Sequence, residues 1–443
     1  MPKQKVIIIG AGLAGSLLAI YLAKKGIEAD VYESRGDMRK EETAAGRSIN
    51  LALSNRGIAA LKEIGLDEYM LAEAVPMHGR MIHAADGQTK LLPYSGRQGE
   101  YINSVSRAGL NVALIDEAEK YANVKFFFNE RLADFDCKTG DARFESGKIV
   151  RGETLFATDG AGSKVRDAML HGGVARFDFS QKWLEHGYKE LHIPPGANGA
   201  FQMEKNALHI WARRQFMMIA LPNANGSFTC TLFLAHTGET SFEQLTDEKS
   251  LLEFFEANFA DAIPLMPTLI EDFFANPVGN LGTVKCFPWN VGGKSLLLGD
   301  AAHAVVPFYG QGMNASFEDC RVLNDLIERH GTNWKTVFDE FTNVRKENAD
   351  AIAQMAEENF YEMRDAVADP VFVRKRELET KLEHEFPEYF SKYSMVTFRE
   401  DLPYSVAKRK GNAQDKLLME ICAEVENVSE INLNEVIKKV KLI

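Results

Sequence analysis

The first 33 residues constrain the fold more than any other stretch of the chain. Val6–Ile9 is a short apolar run rich in β-branched residues and bounded at once by glycine, which predicts a buried strand. Glycines in a GxGxxG spacing, a helical pattern and a second strand at Ala29–Tyr32 follow in order. Glu33 then stands near the distance at which an acidic side chain meets a ribose hydroxyl. This unit predicts a dinucleotide site.

The glycines of this unit have separate expected roles. Gly10 permits the tight turn, Gly12 lets the backbone approach a pyrophosphate, and Gly15 lets the helix pack closely on the strand. Leu13 and Ala14 open the helix, whose free N–H groups and positive dipole end face the phosphates. These residues, together with the acidic residue that ends the second strand, are candidates for cofactor binding. The alternative is a turn that merely needs glycines.

Composition excludes several classes of function. The formal charge of −12 argues against a nucleic-acid partner, because phosphate neutralisation needs a concentrated basic surface. The five cysteines show no CxxC spacing, so we expect neither a disulfide framework nor a metal site, and a cytoplasmic location. No window approaches the roughly 20 apolar residues of a membrane span. With 45% apolar residues, the chain has the composition of an ordinary globular enzyme.

The order of patterns predicts an α/β fold with a discontinuous, Rossmann-like nucleotide-binding domain. Aromatic and β-branched strands from about residue 172 to 285 predict an inserted antiparallel sheet, and a late buried strand at Ser295–Leu298 returns to the first domain. We assign residues 1–75, 100–171 and 286–330 to nucleotide binding, 76–99 and 172–285 to a substrate-binding sheet, and 331–443 to a helical C-terminal region. A simple NAD dehydrogenase would usually keep its nucleotide fold continuous.

Local signals predict several boundaries. Asp86-Gly87 between two strand-like runs indicates a hairpin, and Ser54 and Ser106 are expected as helix N-caps. A long helix is expected from Trp334 to about residue 366. His303 is expected to be structural, because nothing local orients its second nitrogen.

A second motif with chemical content is GDAAH, Gly299–His303, which follows the late strand and precedes a glycine-rich loop. Asp300 is a candidate ligand for a ribityl hydroxyl, and its alternative is an aspartate that caps the next helix. The helix that begins near Gly312 offers backbone N–H groups to a flavin ring or its phosphates. Asp159-Gly160 forms a third acidic segment.

These three segments together resemble the signature of aromatic flavin hydroxylases with the para-hydroxybenzoate hydroxylase fold, and FAD is the cofactor that this resemblance implies. The strings GRSINLALSNRG, HGYKEL, LHIW, FMMIALPN, SFTCTLF, PFYGQGMN, NFYEMR and YSMVTF resemble kynurenine 3-monooxygenases in particular. This likeness spans Lys5 to about Tyr404. Ala212 stands where proline is expected and Gly162 where an aromatic residue is common, which affects local loop rigidity more than activity.

The resemblance also implies where a substrate binds. The carboxylate of an amino-acid substrate is expected to meet Arg80, Tyr94, Asn359 and Tyr393. A guanidinium holds a carboxylate bidentately, and phenol and amide groups complete the hydrogen bonds. Taken singly, Arg80 would be a solvated hairpin residue, Asn359 a surface residue and the tyrosines packing residues.

The resemblance places the aromatic ring of the substrate and the flavin in one region. The ring pocket is expected to include Ile102, Leu208, Met217, Ile219, Leu221 and Phe233. Catalytic contacts at the flavin are expected from Pro307, Phe308, Gly310 and Gln311. Further contacts to FAD are expected from Arg47, Arg107, Gly312, Met313 and Asn314. Periodicity alone cannot choose the pocket face of the strand that carries Met217, because residues on both faces are apolar. Ordinary surface arginines are the alternative at Arg47 and Arg107.

The implied activity is NADPH- and O2-dependent hydroxylation of L-kynurenine to 3-hydroxykynurenine through a flavin hydroperoxide. Because the chain has no second GxGxxG, NADPH is expected to bind transiently. The expected partners are small molecules, with no nucleic acid and no membrane anchor, and a homodimer is compatible with the sequence. One alternative is a FAD hydroxylase of another aromatic acid. The other is a carrier of the Rab GDP-dissociation-inhibitor type, which would not use flavin.

Overall fold

The structure is a computed structural model that describes residues 5–40, 50–365 and 369–443. Arg47 lies outside these ranges. The strands are β1 Lys5–Ile9, β2 Glu28–Tyr32, β3 Asn50–Leu53, β4 Val75–Met77, β5 Gly79–His83, β6 Thr89–Pro93, β7 Ile102–Ser106, β8 Val124–Phe127, β9 Leu132–Phe135, β10 Asp141–Phe144, β11 Ile149–Arg151, β12 Leu155–Ala157, β13 Asp178–Ile193, β14 Ala207–Ala212, β15 Met217–Pro222, β16 Phe228–Ala235, β17 Gly279–Phe287 and β18 Ser295–Leu297. The helices are α1 Leu13–Lys24, α2 Asn55–Ile64, α3 Asp67–Ala72, α4 Arg107–Glu119, α5 Lys164–His171, α6 Glu248–Asn258, α7 Leu269–Ala275, α8 Asp300–His303, α9 Gly312–His330, α10 Trp334–Asp365, α11 Pro370–Glu385, α12 Lys392–Thr397, α13 Tyr404–Ala423 and α14 Leu433–Val440.

A five-stranded parallel sheet carries the N-terminal motif. Its strand order is β18-β12-β1-β2-β8, so β1 lies at the centre and the late strand β18 closes one edge. Val6–Ile9 are buried, as expected for a strand covered on both faces. The sheet is therefore completed by segments that are far apart in sequence, and the predicted α/β class with a discontinuous nucleotide fold is confirmed.

A seven-stranded mixed sheet stands beside it, with the order β17-β13-β16-β15-β14-β5-β6. The hairpin β5–β6 forms one edge and joins the rest of the sheet through a parallel pairing of β5 with β14. Two small three-stranded sheets, β3-β7-β4 and β11-β10-β9, complete the strands of the described ranges. The finer division into domains at particular residues stays a prediction.

The C-terminal helices α10 and α12 pack against the mixed sheet. One apolar cluster joins Met217 and Phe233 of the mixed sheet to Phe308, Phe360 on α10 and Tyr393 on α12. The helical region therefore forms part of the packed interior of the protein. None of the helices in the described ranges has the length and apolar content that a bilayer crossing requires.

Most local predictions are confirmed. β5 and β6 form the hairpin around Asp86-Gly87, and the Ser106 hydroxyl accepts the Gly109 N–H as an N-cap of α4. Ser54 is only partly as predicted: it occupies the N-cap position of α2, but its side chain makes no capping bond. Its own N–H instead donates to Asn314 Oδ1 at 3.0 Å, which ties α2 to α9.

Candidate active site

A cavity of about 880 Å³ runs from the carboxyl ends of the parallel strands to the inner face of the mixed sheet. This volume falls in the range of about 300–1,000 Å³ that is typical of ligand and cofactor sites. Its lining comes from the GxGxxG turn, the segments around Asp159 and Asp300, the start of α9, and the strands β5, β14, β15 and β16. A ligand in this cavity would touch both sheets.

The glycines of the first turn have different surroundings. Gly10 has φ +99°, and a Cβ there would lie 2.5 Å from the Thr158 carbonyl oxygen, so only glycine fits. A Cβ on Gly15 would lie 2.0 Å from the Gly10 carbonyl oxygen, which makes Gly15 a packing residue that does not line the cavity. A Cβ on Gly12 would meet nothing within 4 Å and would occupy the cavity. Gly12 is therefore where a ligand approaches the backbone.

Glu33 is buried at the end of β2 and lines the cavity. Its carboxylate accepts the Ala11 N–H at 2.9 Å and the Arg35 Nε and N–H at 2.9 and 3.0 Å. Burial alone would raise the pKa of Glu33, but the hydrogen bonds and charge of Arg35 and the Ala11 N–H outweigh it, so the pKa is lowered. An ionised acceptor therefore faces the place where the motif predicts a ribose.

Two further carboxylates face the same cavity. Asp159 Oδ2 accepts the Lys164 N–H at 2.8 Å, whereas its Oδ1 is buried without a partner in the described part of the chain. Burial raises the pKa of this carboxyl. Asp300 is exposed to the cavity at the first position of α8, and Gly299 holds the cap position. The alternative of Asp300 as an N-cap does not apply.

The start of α9 presents its first backbone N–H groups to the cavity, because Gly312 and Met313 both line it. Asn314 does not line it. Its Nδ2 donates to the Ala52 and Gly310 carbonyl oxygens at 2.8 Å each, so the side chain fixes the loop from behind.

Gln311 also lies behind the loop. It is buried, and its Oε1 accepts the Tyr404 hydroxyl of α13 at 2.8 Å. Gln311 is absent from the cavity lining, so its side chain supports the loop instead of facing the predicted flavin.

These features fit FAD. The glycine turn leaves open space where a pyrophosphate would lie, and three carboxylates are spaced along the cavity, one of them with an unpartnered buried oxygen. The start of a 19-residue helix lies further along the same cavity.

The opposite end of the cavity contains a cation and two phenols. Arg80 Nε and the Tyr94 hydroxyl are buried without a hydrogen-bond partner among the described residues. The Arg80 guanidinium carbon lies 5.0 Å from the Tyr393 ring centroid and 5.6 Å from that of Tyr94. The two rings stack at 5.2 Å. Burial raises the pKa of both phenols despite the nearby guanidinium, so both remain protonated donors.

Arg80, Tyr94 and Tyr393 together form what we call the clamp. Apolar side chains line the cavity next to it. Met217, Ile219 and Leu221 of β15 face it, whereas Met218 and Ala220 pack into a separate cluster behind the sheet. The structure thereby decides the strand face that periodicity left open. In addition, Phe233 and Phe308 lie with ring centroids 5.0 Å apart.

Asn359 lies beside the clamp rather than in the main cavity. Its Nδ2 donates to the Phe308 carbonyl oxygen at 2.6 Å, which holds the turn that follows Pro307. A narrow adjoining cavity of about 20 Å³ includes Asn359 together with Arg80 and Tyr393.

The predicted site residues fall into two groups by position. Those that line the main cavity are Gly10, Gly12, Leu13, Ala14, Glu33, Arg80, Tyr94, Ile102, Arg107, Leu208, Met217, Ile219, Leu221, Phe233, Asp300, Pro307, Phe308, Gly310, Gly312, Met313 and Tyr393. Those that lie close behind the lining are Gly15, Gln311, Asn314 and Asn359.

Several lining residues were not predicted. Tyr309 lies between the turn and the clamp, and its ring stacks on Tyr393 at 5.6 Å. Met363 follows Asn359 by one helical turn, so helical spacing would have indicated it. Tyr188 and the exposed Trp183 lie on β13; Tyr188 belongs to the HGYKEL string, to which no site residue was assigned, and no motif includes Trp183.

His303 is buried and does not line the cavity, in keeping with the structural role predicted for it. Its Nε2 lies 2.6 Å from Asp319 Oδ2, and Asp319 also accepts Arg345 Nε at 2.7 Å. A partner 16 residues away in sequence orients the ring, and local inspection could not find it.

Comparison with known proteins agrees with this geometry. The family model described as FAD binding domain matches residues 3–356. A solved structure, the tetrameric form of 2-methyl-3-hydroxypyridine-5-carboxylic acid oxygenase, superposes with a TM-score of 0.69 at 17% identity, covering 86% of this chain and 98% of that one. The fold and site thus define a FAD-binding protein with the fold of the aromatic flavin hydroxylases.

Closer relatives narrow the class. Kynurenine 3-monooxygenase of Myxococcus xanthus is 47% identical over 97% of this chain and 93% of its own length. The enzyme of the same name from Flavobacterium johnsoniae is 44% identical over 98% of both. The chain belongs to the kynurenine 3-monooxygenase family, as its motifs predicted.

Proposed function

We propose that this protein hydroxylates L-kynurenine to 3-hydroxykynurenine with bound FAD, using NADPH and O2. The relatives that match it over nearly its whole length are named for this activity. The site has the two parts that such a substrate needs, a cation with phenol donors and an adjoining apolar pocket.

The observation that carries the proposal is the pair of unpartnered buried atoms, Arg80 Nε and the Tyr94 hydroxyl. Buried polar groups are nearly always satisfied, and a buried cation without a partner is costly. No acidic side chain of the described ranges forms an ion pair with Arg80. A ligand carboxylate would satisfy both atoms, and a bidentate contact with the guanidinium would set its orientation.

The pocket next to the clamp determines where the ring of the substrate lies. Met217, Ile219 and Leu221 offer apolar contact along one strand face, and Phe233 and Phe308 offer ring edges and faces. The anilino nitrogen of kynurenine already activates the ortho carbon, so the reaction needs no strong protein base. The side chains therefore act by positioning the ring and excluding water.

When bound, FAD supplies the reducing equivalents drawn from NADPH and the activation of oxygen. The chain's part is to hold the cofactor: Gly12 and the start of α1 at the phosphates, Glu33 at the ribose, and Asp300 at the ribityl chain. Gly312 and Met313 present the positive end of α9 to the cavity, which would stabilise negative charge on a bound flavin ring. Asn359 and Asn314 keep the intervening turn in place through its carbonyl oxygens.

The proposal includes a cytoplasmic location. All five cysteines are buried and unpaired, which suits a reducing compartment.

A substrate panel tests the proposal. FAD-reconstituted protein is assayed for NADPH oxidation with kynurenine, salicylate or para-hydroxybenzoate, and the products are identified by mass spectrometry. Kynurenine alone is expected to stimulate oxidation and give a hydroxylated product. Stimulation by a phenolic acid in place of kynurenine would assign another aromatic hydroxylase. A protein that cannot be reconstituted with FAD would favour a carrier.

A further inference from the structure

A network of three polar side chains, Asp261, His83 and His209, lies on the face of the mixed sheet opposite the cavity. His83 Nδ1 lies 2.8 Å from Asp261 Oδ2, and His83 Nε2 lies 2.9 Å from His209 Nδ1. His209 Nε2 lies 2.8 Å from the Glu204 carbonyl oxygen. His83 and His209 are 7% and 2% exposed, whereas the Asp261 side chain at the end of the network is 29% exposed.

This network lies at the junction where the hairpin β5–β6 joins the rest of the mixed sheet. His83 ends β5 and His209 lies on β14, and β5 and β14 are the one parallel pair through which the hairpin β5–β6 joins the sheet. Arg80 is on β5 and pairs in register with Leu208, and both side chains line the cavity. Tyr94 directly follows β6. Arg80 Nε and the Tyr94 hydroxyl therefore both lie on or directly after an edge hairpin. The contact between His83 and His209 holds this hairpin to the sheet from the face opposite the cavity.

Asp261, at one end of this network, is held by several contacts. Trp211 Nε1 donates to both carboxylate oxygens at 3.0 and 2.9 Å, and the Trp211 ring stacks on His83 at 4.0 Å. Arg213 donates to the His83 carbonyl oxygen at 2.9 Å and to the Asn258 carbonyl oxygen at 2.7 Å. The loop after α6 thereby holds both strands of the junction.

The hydrogen bonds of the network determine how many protons it holds. A carboxylate and a carbonyl oxygen at its two ends can only accept, so the three contacts need three N–H protons on four ring nitrogens. Two neutral imidazoles carry only two. One extra proton must therefore be present, or one contact at 2.8–2.9 Å would set two lone pairs against each other.

The charged groups around the network indicate which ring holds this extra proton. Burial lowers the pKa of His209 to about 4, so His209 is the neutral ring. On balance the pKa of His83 is lowered, because burial, together with the charge of Arg213, outweighs the hydrogen bond and charge of Asp261. Glu204, the remaining charged group, faces His209. Of the two rings only His83 lies beside a counter-charge, so the extra proton belongs there and is released at a pH below the usual range of a histidine.

We propose that Asp261, His83 and His209 form a positioning network that holds one extra proton and fixes the Arg80 and Tyr94 hairpin for the substrate carboxylate. This inference rests on the proposed function for its substrate. None of the three residues touches the cavity, so the network acts through the strand pair and not on the reacting atoms.

Two substitutions at one position separate the effects of charge and of contact. Asp261→Asn can accept from Trp211 through its oxygen and donate to a neutral His83 through its amide nitrogen, so every contact is satisfied without the extra proton. Asp261→Ala leaves Trp211 and His83 without an acceptor. Glu340→Ala is the matched control, because it removes a 2.8 Å histidine–carboxylate contact with His330 elsewhere on the protein.

Steady-state kinetics with kynurenine, flavin content and ¹⁵N NMR of the histidine rings are measured for each holoenzyme. Asp261→Ala is expected to raise KM about tenfold, while kcat and flavin content stay close to wild type, because a charge-assisted bond behind the clamp is lost. These comparisons are made at acidic pH, where His83 carries the extra proton. Asp261→Asn is expected to keep the wild-type KM there. The control is expected to change neither.

The proton count has its own measurement. In the wild type both ring nitrogens of His83 are expected to be protonated at acidic pH, and KM is expected to rise as pH increases through the pKa of His83, which lies below the usual value of a histidine. Asp261→Asn is expected to show a neutral His83 and no such rise. A wild-type His83 that stays neutral at acidic pH, or an Asp261→Ala enzyme with unchanged KM there, overturns the inference. Wild-type protein that does not turn over kynurenine would refute the proposed function, while the NMR result would still decide the proton count.

Discussion

Replacing Arg80 by methionine tests the clamp most selectively. Methionine keeps an unbranched apolar side chain beside the stacked rings of Tyr94 and Tyr393, and it removes the charge and the unpartnered Nε. Flavin binding should not change, because Arg80 lies at the cavity end opposite the glycine turn. The effect should therefore be confined to the substrate.

The expected magnitude follows from the surroundings of Arg80. A hydrogen bond to a charged group contributes about 1.5–3 kcal/mol, and breaking a buried pair costs about 3–5 kcal/mol. The Arg80 side chain is only half-buried while its Nε is fully buried, so we take about 2–4 kcal/mol. At about 1.4 kcal/mol per tenfold, the affinity for kynurenine should fall roughly 30- to 1,000-fold.

The assay pairs the variant with a matched ligand. Dissociation constants are measured from flavin absorbance changes for kynurenine and for its decarboxylated analogue, which lacks only the carboxylate. The wild type should prefer kynurenine strongly, and Arg80→Met should bind the two ligands with nearly equal affinity. Arg80→Lys, which keeps the charge without the planar fork, should lie between them. An Arg80→Met protein that still discriminates fully between the two ligands would refute the clamp.

Three further predictions concern other parts of the site. Gly12→Val should abolish flavin binding while the apoprotein keeps its melting temperature, because the valine side chain enters open cavity. Gly15→Ala should instead lower the free energy of unfolding by about 1–3 kcal/mol in denaturant titration, because its Cβ would lie 2.0 Å from a carbonyl oxygen. Tyr404→Phe removes the hydroxyl that donates to Gln311 and should cost about 1–2 kcal/mol of stability with little change in KM for kynurenine, so a large change in KM would contradict a supporting role. Ile219→Thr, on the cavity face of β15, should raise KM about fivefold, from about 1 kcal/mol of lost apolar contact, with flavin content unchanged.

The nucleotide half of the molecule was readable from sequence because its determinants are local. The turn at Gly10, the close packing at Gly15 and the acidic residue Glu33 follow one another in a single unit, and each is where its motif predicts it. The late strand and Asp300 could be recognised in the same way, since a motif directly follows a buried run.

The substrate half was less readable because its determinants come from tertiary packing. Both faces of β15 are apolar, so only the packed sheet shows that Met217 faces the cavity and Met218 does not. Asn359 and Gln311 were predicted as contacts, and their hydrogen bonds to the backbone and to another helix place them behind the lining. The partner of His83 is 178 residues away in sequence, beyond any local pattern.

The central claim is that one atom of molecular oxygen enters the aromatic ring of kynurenine in this cavity. The direct measurement is turnover of FAD-reconstituted protein with kynurenine and NADPH under ¹⁸O2, followed by mass spectrometry of the product and quantitation of peroxide. The account predicts 3-hydroxykynurenine carrying one ¹⁸O atom, with little peroxide. NADPH consumption that yields only hydrogen peroxide, or a product without the label, would contradict it.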